Sequence, residues 1–144
     1  LENSDMGASF AGLHFSRHGL AHWLRASQEG IVFALYYGMQ IMETLGVSLQ
    51  HIRAGQANMF LSPLFRQTFA NVSGATVELY NTDGAQGAAR GAGLGLGYYQ
   101  SRTDAFTGLE AVQIIEPDPS QYQATIEAYA HWRGVLAERI GLGL

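Results

Sequence analysis

The spacing of apolar residues predicts a long helix near the start of the chain. Between residues 20 and 45, apolar side chains recur at intervals of three, four and seven, at Leu24, Ile31, Leu35, Met42 and Leu45. These intervals place the five side chains on one face of a helix, which we interpret as its apolar face. Gly46 follows and is expected to end the helix.

Three short segments are predicted to be β-strands, because they are apolar, aromatic or β-branched and lead into turn-forming residues. They are Ala8 to Phe15, Val47 to Ala54 and Thr76 to Tyr80. The apolar run 111–115 is assigned to the connection before the last helix. The strands therefore alternate with helices along the chain.

Two further helices have recognisable boundaries. Ser62-Pro63 predicts a helix start, since serine can accept a free backbone N–H and proline lacks one, and Gly74 predicts its end. Its apolar face is expected to comprise Leu64, Phe65, Thr68, Phe69 and Val72. The last helix is predicted to end before Gly141 and to present Tyr122, Ile126, Tyr129, Trp132, Leu136 and Ile140 on one face.

Alternating strands and helices predict an α/β fold with the strands side by side. Three strands make a thin sheet, because sheets commonly have about five. We therefore expect the domain to be incomplete on its N-terminal side. Residues 1–7 are interpreted as a lead-in or an expression remnant, and residues 8–144 as one domain.

The segment from Gly84 to Gly97, GAQGAARGAGLGLG, contains six glycines in 14 residues. It follows a strand, but its glycine spacing matches neither the dinucleotide fingerprint nor the lysine-containing phosphate loop. As a helix, it would carry Gly87, Gly91 and Gly95 four residues apart. Five glycines within the helix would cost roughly 5 kcal/mol relative to alanine, at about 1 kcal/mol each. Two interpretations stay open: close packing against another element, or one wall of a nucleotide pocket through Gly84 and Gly87.

Composition excludes several classes of protein. The 144 residues have a formal net charge of −4, and the eight Lys and Arg residues form no cluster, so a nucleic-acid partner is not expected. There is no cysteine, which excludes disulfides and thiolate chemistry and suits a cytoplasmic protein. No apolar run is long enough for a membrane span, so no membrane partner is expected.

Histidines and carboxylates were weighed as catalytic or metal-binding groups. His14, His18 and His22 lie four residues apart, but the surrounding glycines and serine predict a strand and loop, so no metal site is predicted. Glu29, Glu43 and Asp83 are more typical of solvated or helix-capping carboxylates than of a general base. No catalytic residue is therefore assigned within the chain.

Six segments together resemble the C-terminal part of the FGGY carbohydrate kinases. Glu29 to Leu35 (EGIVFAL) is similar to the family's EGIAFAL helix, and Thr82 to Ala89 (TDGAQGAA) to its closing GALGAA helix. The remaining four segments match the adenosine loop and the C-terminal signature. The adenosine loop is matched by Ile52 to Asn58 (IRAGQAN) with Ser62 to Gln67 (SPLFRQ), and the signature by ASFAGL at 8–13 followed by HWLRASQE at 22–29. Within the family, the segments are most similar to xylulokinases.

The resemblance implies the C-terminal domain of an actin/hexokinase/Hsp70-like, ribonuclease H-like ATPase fold. Such kinases bind ATP, with Mg as a co-substrate ion, between two domains, and the C-terminal domain supplies the adenosine pocket. The resemblance implies that the catalytic aspartate and the sugar-binding residues lie upstream. The parent enzyme would convert D-xylulose to D-xylulose 5-phosphate and release ADP, whereas this chain alone is predicted to be inactive.

The expected adenosine-binding residues are Gly55, Asn58 and Gln56, with Gly84 and Gly87 less directly involved. Gly55 ends a strand without a side chain to obstruct a ligand, and Asn58 offers both a donor and an acceptor to a purine edge. Ala54 and Gln56 stand where the family usually has glycine, and the residues 59–61 are an insertion, which puts the family's contacts at this loop in question.

An alternative from another class is a stand-alone nucleotide-binding or self-associating module without catalysis. A truncated sheet exposes an edge and apolar faces on which a second copy could dock, giving a homodimer.

Overall fold

The computed structural model describes residues 7–141, so the predicted lead-in lies outside the described residues except for Gly7, as do residues 142–144. In chain order the elements are α1 (Leu20–Thr44), β1 (His51–Gly55), a 3-10 helix (Asn58–Leu61), α2 (Pro63–Ser73), β2 (Thr76–Tyr80), α3 (Gly84–Gly95), α4 (Arg102–Ala105), β3 (Ala111–Ile115) and α5 (Pro119–Ile140). The chain is therefore a mixed α/β protein.

The three strands form one sheet in the order β1-β2-β3, with β2 at its centre. β1 and β2 run parallel, in register from His51 opposite Thr76 to Gly55 opposite Tyr80. β3 is antiparallel to β2, and the pairing is irregular at Leu79 and Tyr80. Because β1 and β2 are parallel, their carboxyl ends lie at the same edge of the sheet.

The prediction of a strand over Ala8 to Phe15 is wrong. This segment contains a turn, in which the backbone N–H groups of Arg17 and His18 donate to the His14 carbonyl at 3.0 and 2.9 Å. Gly12 adopts a φ of +70°, which interrupts an extended conformation. The third strand is instead β3, Ala111–Ile115, where the sequence pattern predicts a connection.

The strand predicted at Val47 to Ala54 is real but shifted, since β1 covers His51–Gly55. The predicted strand Thr76–Tyr80 is confirmed by β2. The predicted start of α2 at Pro63 is also confirmed, and there the Ser62 hydroxyl accepts the Phe65 N–H at 3.4 Å. The predicted end at Gly74 is confirmed too, since Gly74 has a φ of +67°. These boundaries depend on hydrogen bonds between near neighbours in sequence, which local patterns report well.

The core lies between the sheet and α2, with α1 and α5 contributing from the side. Val77 and Leu79 of β2 are fully buried, and α2 buries Phe65, Phe69 and Val72 against them. An aromatic cluster links α1 to α5, with ring centroids 5.5 Å apart for Phe33 and Tyr129, 4.9 Å for Tyr36 and Tyr129 and 6.0 Å for Tyr129 and Trp132.

The apolar face predicted for α1 is not the face that packs in the core. Leu24 and Leu35 are 55% and 46% exposed, whereas Val32 and Phe33 are 0% and 3% exposed. The whole predicted stripe is exposed in the described structure, at Leu24, Ile31, Leu35, Met42 and Leu45. α1 is therefore apolar on two faces, of which only one is covered by the described residues, and helices of this kind are typically buried on all sides.

Candidate functional site

The candidate site lies where the parallel strands β1 and β2 end. In open α/β sheets, ligands bind beyond the carboxyl ends of parallel strands, because the following loops and helix N-termini converge there. Beyond β1 the backbone N–H of Gln56 donates to the Tyr80 carbonyl at 2.9 Å. This bond holds the loop after β1, which carries the predicted site residues Gln56 and Asn58, against the end of β2.

Gly55 is required by a close backbone contact within the chain. A Cβ added at Gly55 would lie 2.4 Å from the Thr82 carbonyl oxygen and 3.2 Å from the Asp83 Cα. The segment that leads into α3 therefore packs directly on the end of β1. From sequence this glycine is expected to leave clearance for a ligand, but the space beside its Cα is occupied by the chain's own backbone.

The side chains of Gln56 and Asn58 are exposed on the loop after β1. Asn58 has a φ of +52°, in the left-handed region, which asparagine tolerates better than most residues. No protein hydrogen bond of either side-chain amide is found among residues 7–141. Each amide can therefore offer a donor and an acceptor to a ligand.

The insertion at residues 59–61 has a packing role. It forms most of the 3-10 helix, and its Phe60 ring lies against Phe65 and Phe69, with centroids 5.3 and 5.9 Å away. The guanidinium of Arg66 donates to the Phe60 carbonyl at 3.4 Å. These contacts attach the loop that carries Asn58 to α2, and so restrict its position.

The glycine-rich segment forms helix α3, whose N-terminus lies beside the end of β1. Asp83 is its N-cap, and its Oδ1 accepts the Gln86 N–H at 2.8 Å. Cβ atoms added at Gly84, Gly87, Gly91 or Gly95 would meet nothing within 4 Å. The face formed by these four glycines thus packs against no element among residues 7–141, and close packing of the glycine segment within the described chain is found instead at Gly93.

Helix α3 is held through its other side, by a residue that the sequence analysis did not single out. The Nη1 of Arg90 donates to the carbonyls of Ala105 and Thr107, at 2.5 and 3.3 Å. The Tyr99 ring packs on Gly93, where an added Cβ would lie 2.6 Å from the ring. A lone arginine among glycines and alanines was the sequence signal for this contact.

A charged cluster occupies the sheet face opposite the core. Glu78 accepts from Arg53 at 3.0 Å and from the Tyr80 hydroxyl at 2.9 Å. The Tyr80 hydroxyl, followed by the Arg53 guanidinium, lowers the pKa of Glu78 below its ordinary value. The hydrogen bond to Glu78 in turn raises the pKa of Tyr80. These groups satisfy one another, so the cluster stabilises the β1–β2 pair rather than offering a reactive group.

The three histidines near α1 lie next to one another with their rings tilted by 56° and 46° between neighbours. Ring centroids are 6.0 Å apart for His14 and His18 and 5.5 Å for His18 and His22. The Nδ1 atoms of His18 and His22 accept backbone N–H groups at 3.1 and 3.2 Å, which occupies one ligating atom of each. Within residues 7–141, no group of three or more His, Asp and Glu residues could hold a metal ion.

Two of the carboxylates considered as general bases, Asp83 and Glu29, have structural partners. Asp83 caps α3, and Glu29 pairs with Arg25 at 2.7 Å.

In the described part of the chain, no helix combines the length and hydropathy needed to cross a membrane.

The described architecture is a mixed α/β domain of the kind found in the C-terminal domains of sugar kinases. It is similar to xylulose kinase from Rhodospirillum rubrum, with a TM-score of 0.73 and 23% identity, and to ligand-bound xylulose kinase from Lactobacillus acidophilus, with 0.66 and 25%. Gluconate kinase from Lactobacillus acidophilus is also similar, with 0.65 and 26%. Each match covers 90% of this chain.

The resemblance to FGGY-family sugar kinases is therefore confirmed at the level of structure. This chain spans 27% of the length of each of the three kinases. No family model matches the sequence. No curated protein matches it either.

Proposed function

We propose that this chain is the C-terminal part of an ATP-dependent sugar kinase of the actin/hexokinase/Hsp70-like fold, and that it holds the adenosine of ATP. The observation that carries the proposal is the convergence of two segments at one sheet edge. The loop after β1 bears the exposed side-chain amides of Gln56 and Asn58, which have no hydrogen-bond partner among residues 7–141. The segment before α3 packs against Gly55 beside that loop.

In this proposal, a purine lies across the strand ends and hydrogen-bonds to Asn58 and Gln56. Gly84 and Gly87 leave open space at the start of α3, where free backbone N–H groups and the helix dipole favour the negative charge of phosphate. Gly55 acts indirectly, by allowing the backbone of residues 82–83 to approach. Magnesium would arrive with the ATP phosphates, and no residue of this chain is assigned to it.

The transfer itself would be in-line attack of a sugar hydroxyl on the γ-phosphate, with charge balanced by magnesium and an acidic base. We assign that base and the sugar contacts to the remainder of the parent protein. D-xylulose is the proposed acceptor, because the two structures first named above are xylulose kinases and the sequence segments are most similar to that group. D-gluconate is the competing acceptor, because a gluconate kinase is also similar.

The adenosine site can be tested by titrating this chain with MgADP and following backbone amide signals. We expect the signals of Gly55, Asn58 and Gly84 to shift, and signals in α5 to stay unchanged. Asn58→Gly keeps the positive φ without strain and removes the amide, so it should weaken binding by about tenfold without lowering stability. Unshifted signals at saturating MgADP would reject the site.

Two further parts of the proposal, the acceptor sugar and the assignment of catalysis to the rest of the protein, are tested with the protein encoded by the parent reading frame. The protein encoded by it should phosphorylate D-xylulose faster than D-gluconate, whereas this chain alone should phosphorylate neither. Phosphoryl transfer by the purified chain would contradict the assignment of the catalytic base to the remainder of the protein.

A second candidate is a non-catalytic module that associates with its own copies. The exposed apolar stripe of α1 favours it, and so does the edge of β1, which pairs with no second strand among the described residues. Sedimentation of the chain over a range of concentrations separates the two candidates. A stable dimer without MgADP binding would favour the second.

A further inference from the structure

We propose that Arg90 is a positioning residue for the nucleotide site, because it fixes the orientation of helix α3. The inference rests on the proposed function for its ligand, but its structural step concerns this chain alone. α3 buries none of its residues and is joined to the sheet by the short segment 81–83. A helix attached only at one end would pivot about that end.

Arg90 contacts the segment 105–107 from the side of α3 that faces α4. Its Nη1 donates to the carbonyls of Ala105, the last residue of α4, and Thr107. Carbonyls at a helix C-terminus lack partners within the helix and carry partial negative charge, so a guanidinium is well suited to them. α3 is thereby tied to the segment 105–107.

The second step is the attachment of that segment to the sheet. The Asn81 side chain, at the end of β2, donates to the Gly108 carbonyl at 3.1 Å and accepts the Glu110 N–H at 2.8 Å. The backbone N–H of Asn81 donates to the Glu110 carbonyl at 3.1 Å. The chain from Arg90 through residues 105–110 to Asn81 thus forms a second connection between α3 and β2, which we name the brace.

The consequence concerns the start of α3, which is part of the proposed site. With both connections in place, Gly84 and Gly87 hold a fixed position relative to the loop that carries Asn58. Without the Arg90 contact, α3 would pivot about its junction with the segment 81–83, and Gly84 and Gly87 would turn with it. Arg90 itself contacts neither nucleotide nor sugar.

The test uses this chain with Arg90→Met and Arg90→Lys, and Arg102→Met as the matched control. Arg102 lies in α4 and makes no side-chain hydrogen bond among the described residues. Amide hydrogen exchange without ligand should be about tenfold faster in α3 of Arg90→Met, with β2 unchanged. Arg90→Lys should restore part of the protection, because a cation can still reach a carbonyl, and Arg102→Met should match the wild type.

MgADP titration of the same variants tests the nucleotide step. We expect about tenfold weaker binding for Arg90→Met, partial rescue for Arg90→Lys and no change for Arg102→Met. Unchanged exchange in α3 of Arg90→Met overturns the brace. Faster exchange with unchanged MgADP affinity overturns the positioning role. A wild-type chain that does not bind MgADP overturns the proposed function and the positioning role with it, while the exchange rates still decide the brace.

Discussion

At the scale of single residues, the structure gives several side chains roles that differ from their first interpretation. Gly55 allows one backbone segment to pack on another, whereas a Cβ added at Gly91 would meet no atom of the described residues within 4 Å. Tyr129 is buried, and its hydroxyl donates to Gln40 Oε1 at 2.6 Å. These contrasts lead to two predictions.

Alanine substitution should have opposite effects at the two glycines. Gly55→Ala forces the Thr82 carbonyl to move, and we expect it to lower the free energy of unfolding by about 1–3 kcal/mol. Gly91→Ala, in an exposed helix interior, should raise it by roughly 0.5–1 kcal/mol. Denaturant unfolding measures both. An equally stable Gly55→Ala variant would contradict the close approach of residues 82–83.

Tyr129 predicts a loss of stability at high pH. Burial raises the pKa of Tyr129 from 10.0 to about 12. Because the folded-state pKa is the higher one, the phenol contributes stability that is fully present below pH 10 and is lost as the pH rises towards about 12. Denaturant unfolding between pH 9 and about 12 should show this fall. The fall should be smaller in Tyr129→Phe, and an equal fall in both proteins would disprove the assignment.

At the scale of elements, helix boundaries depend on local caps, while helix faces depend on their neighbours. Ser62 caps α2, and its hydroxyl also donates to Gln28 Oε1 of α1 at 2.6 Å. The end of α1 is stabilised by Gly46, whose N–H donates to the Glu43 carbonyl while that of Val47 donates to Met42. The Ser62 hydroxyl thus both caps α2 and joins it to α1.

Ser62→Ala should lower the free energy of unfolding by about 1–2 kcal/mol, because it removes the cap and leaves the partly buried Gln28 oxygen without its donor. Ser27→Ala is the matched control. Among the described residues, its hydroxyl bonds only to the Trp23 carbonyl one turn earlier, so alanine there should be neutral or slightly stabilising. Thermal unfolding of both variants makes the comparison, and equal effects would remove the role given to Ser62.

At the scale of the whole molecule, the covered and uncovered surfaces distinguish this chain from an ordinary small domain. The sheet has three strands, the small-residue face of α3 packs on nothing described, and one apolar face of α1 is exposed. These features agree with a chain that spans 27% of the sugar kinases it resembles. They are the surfaces on which we place the remainder of the proposed kinase.

The double variant Leu24→Gln, Leu35→Gln tests the exposed face of α1. Because both side chains are about half exposed, we expect the variant to keep the wild-type unfolding midpoint while it binds less of a fluorescent hydrophobic dye and associates less. Val32→Ala, on the buried face of the same helix, should instead lose about 0.5–2 kcal/mol. A large loss of stability in the double variant would show that this face is packed.

The sequence by itself determined the features that depend on near neighbours. These include the extent of α1, the start and end of α2 and the position of β2. They also include the turn at 81–83, which leads into the glycine-rich segment of α3. A cap, a left-handed glycine or a helical period involves residues within a few positions of one another, so its signal is local. The resemblance in sequence segments likewise preserved their order along the chain.

Only the tertiary structure decided which face of α1 is buried, that residues 111–115 and not 8–15 complete the sheet, and that Gly55 supports residues 82–83. It also decided that Arg90 ties α3 to a segment 15 residues later. Each of these outcomes depends on partners distant in sequence. An apolar helix face can be buried by any complementary surface, and a β-prone run can pair with any free strand edge. The sequence pattern alone therefore does not determine which face is buried or which run joins the sheet.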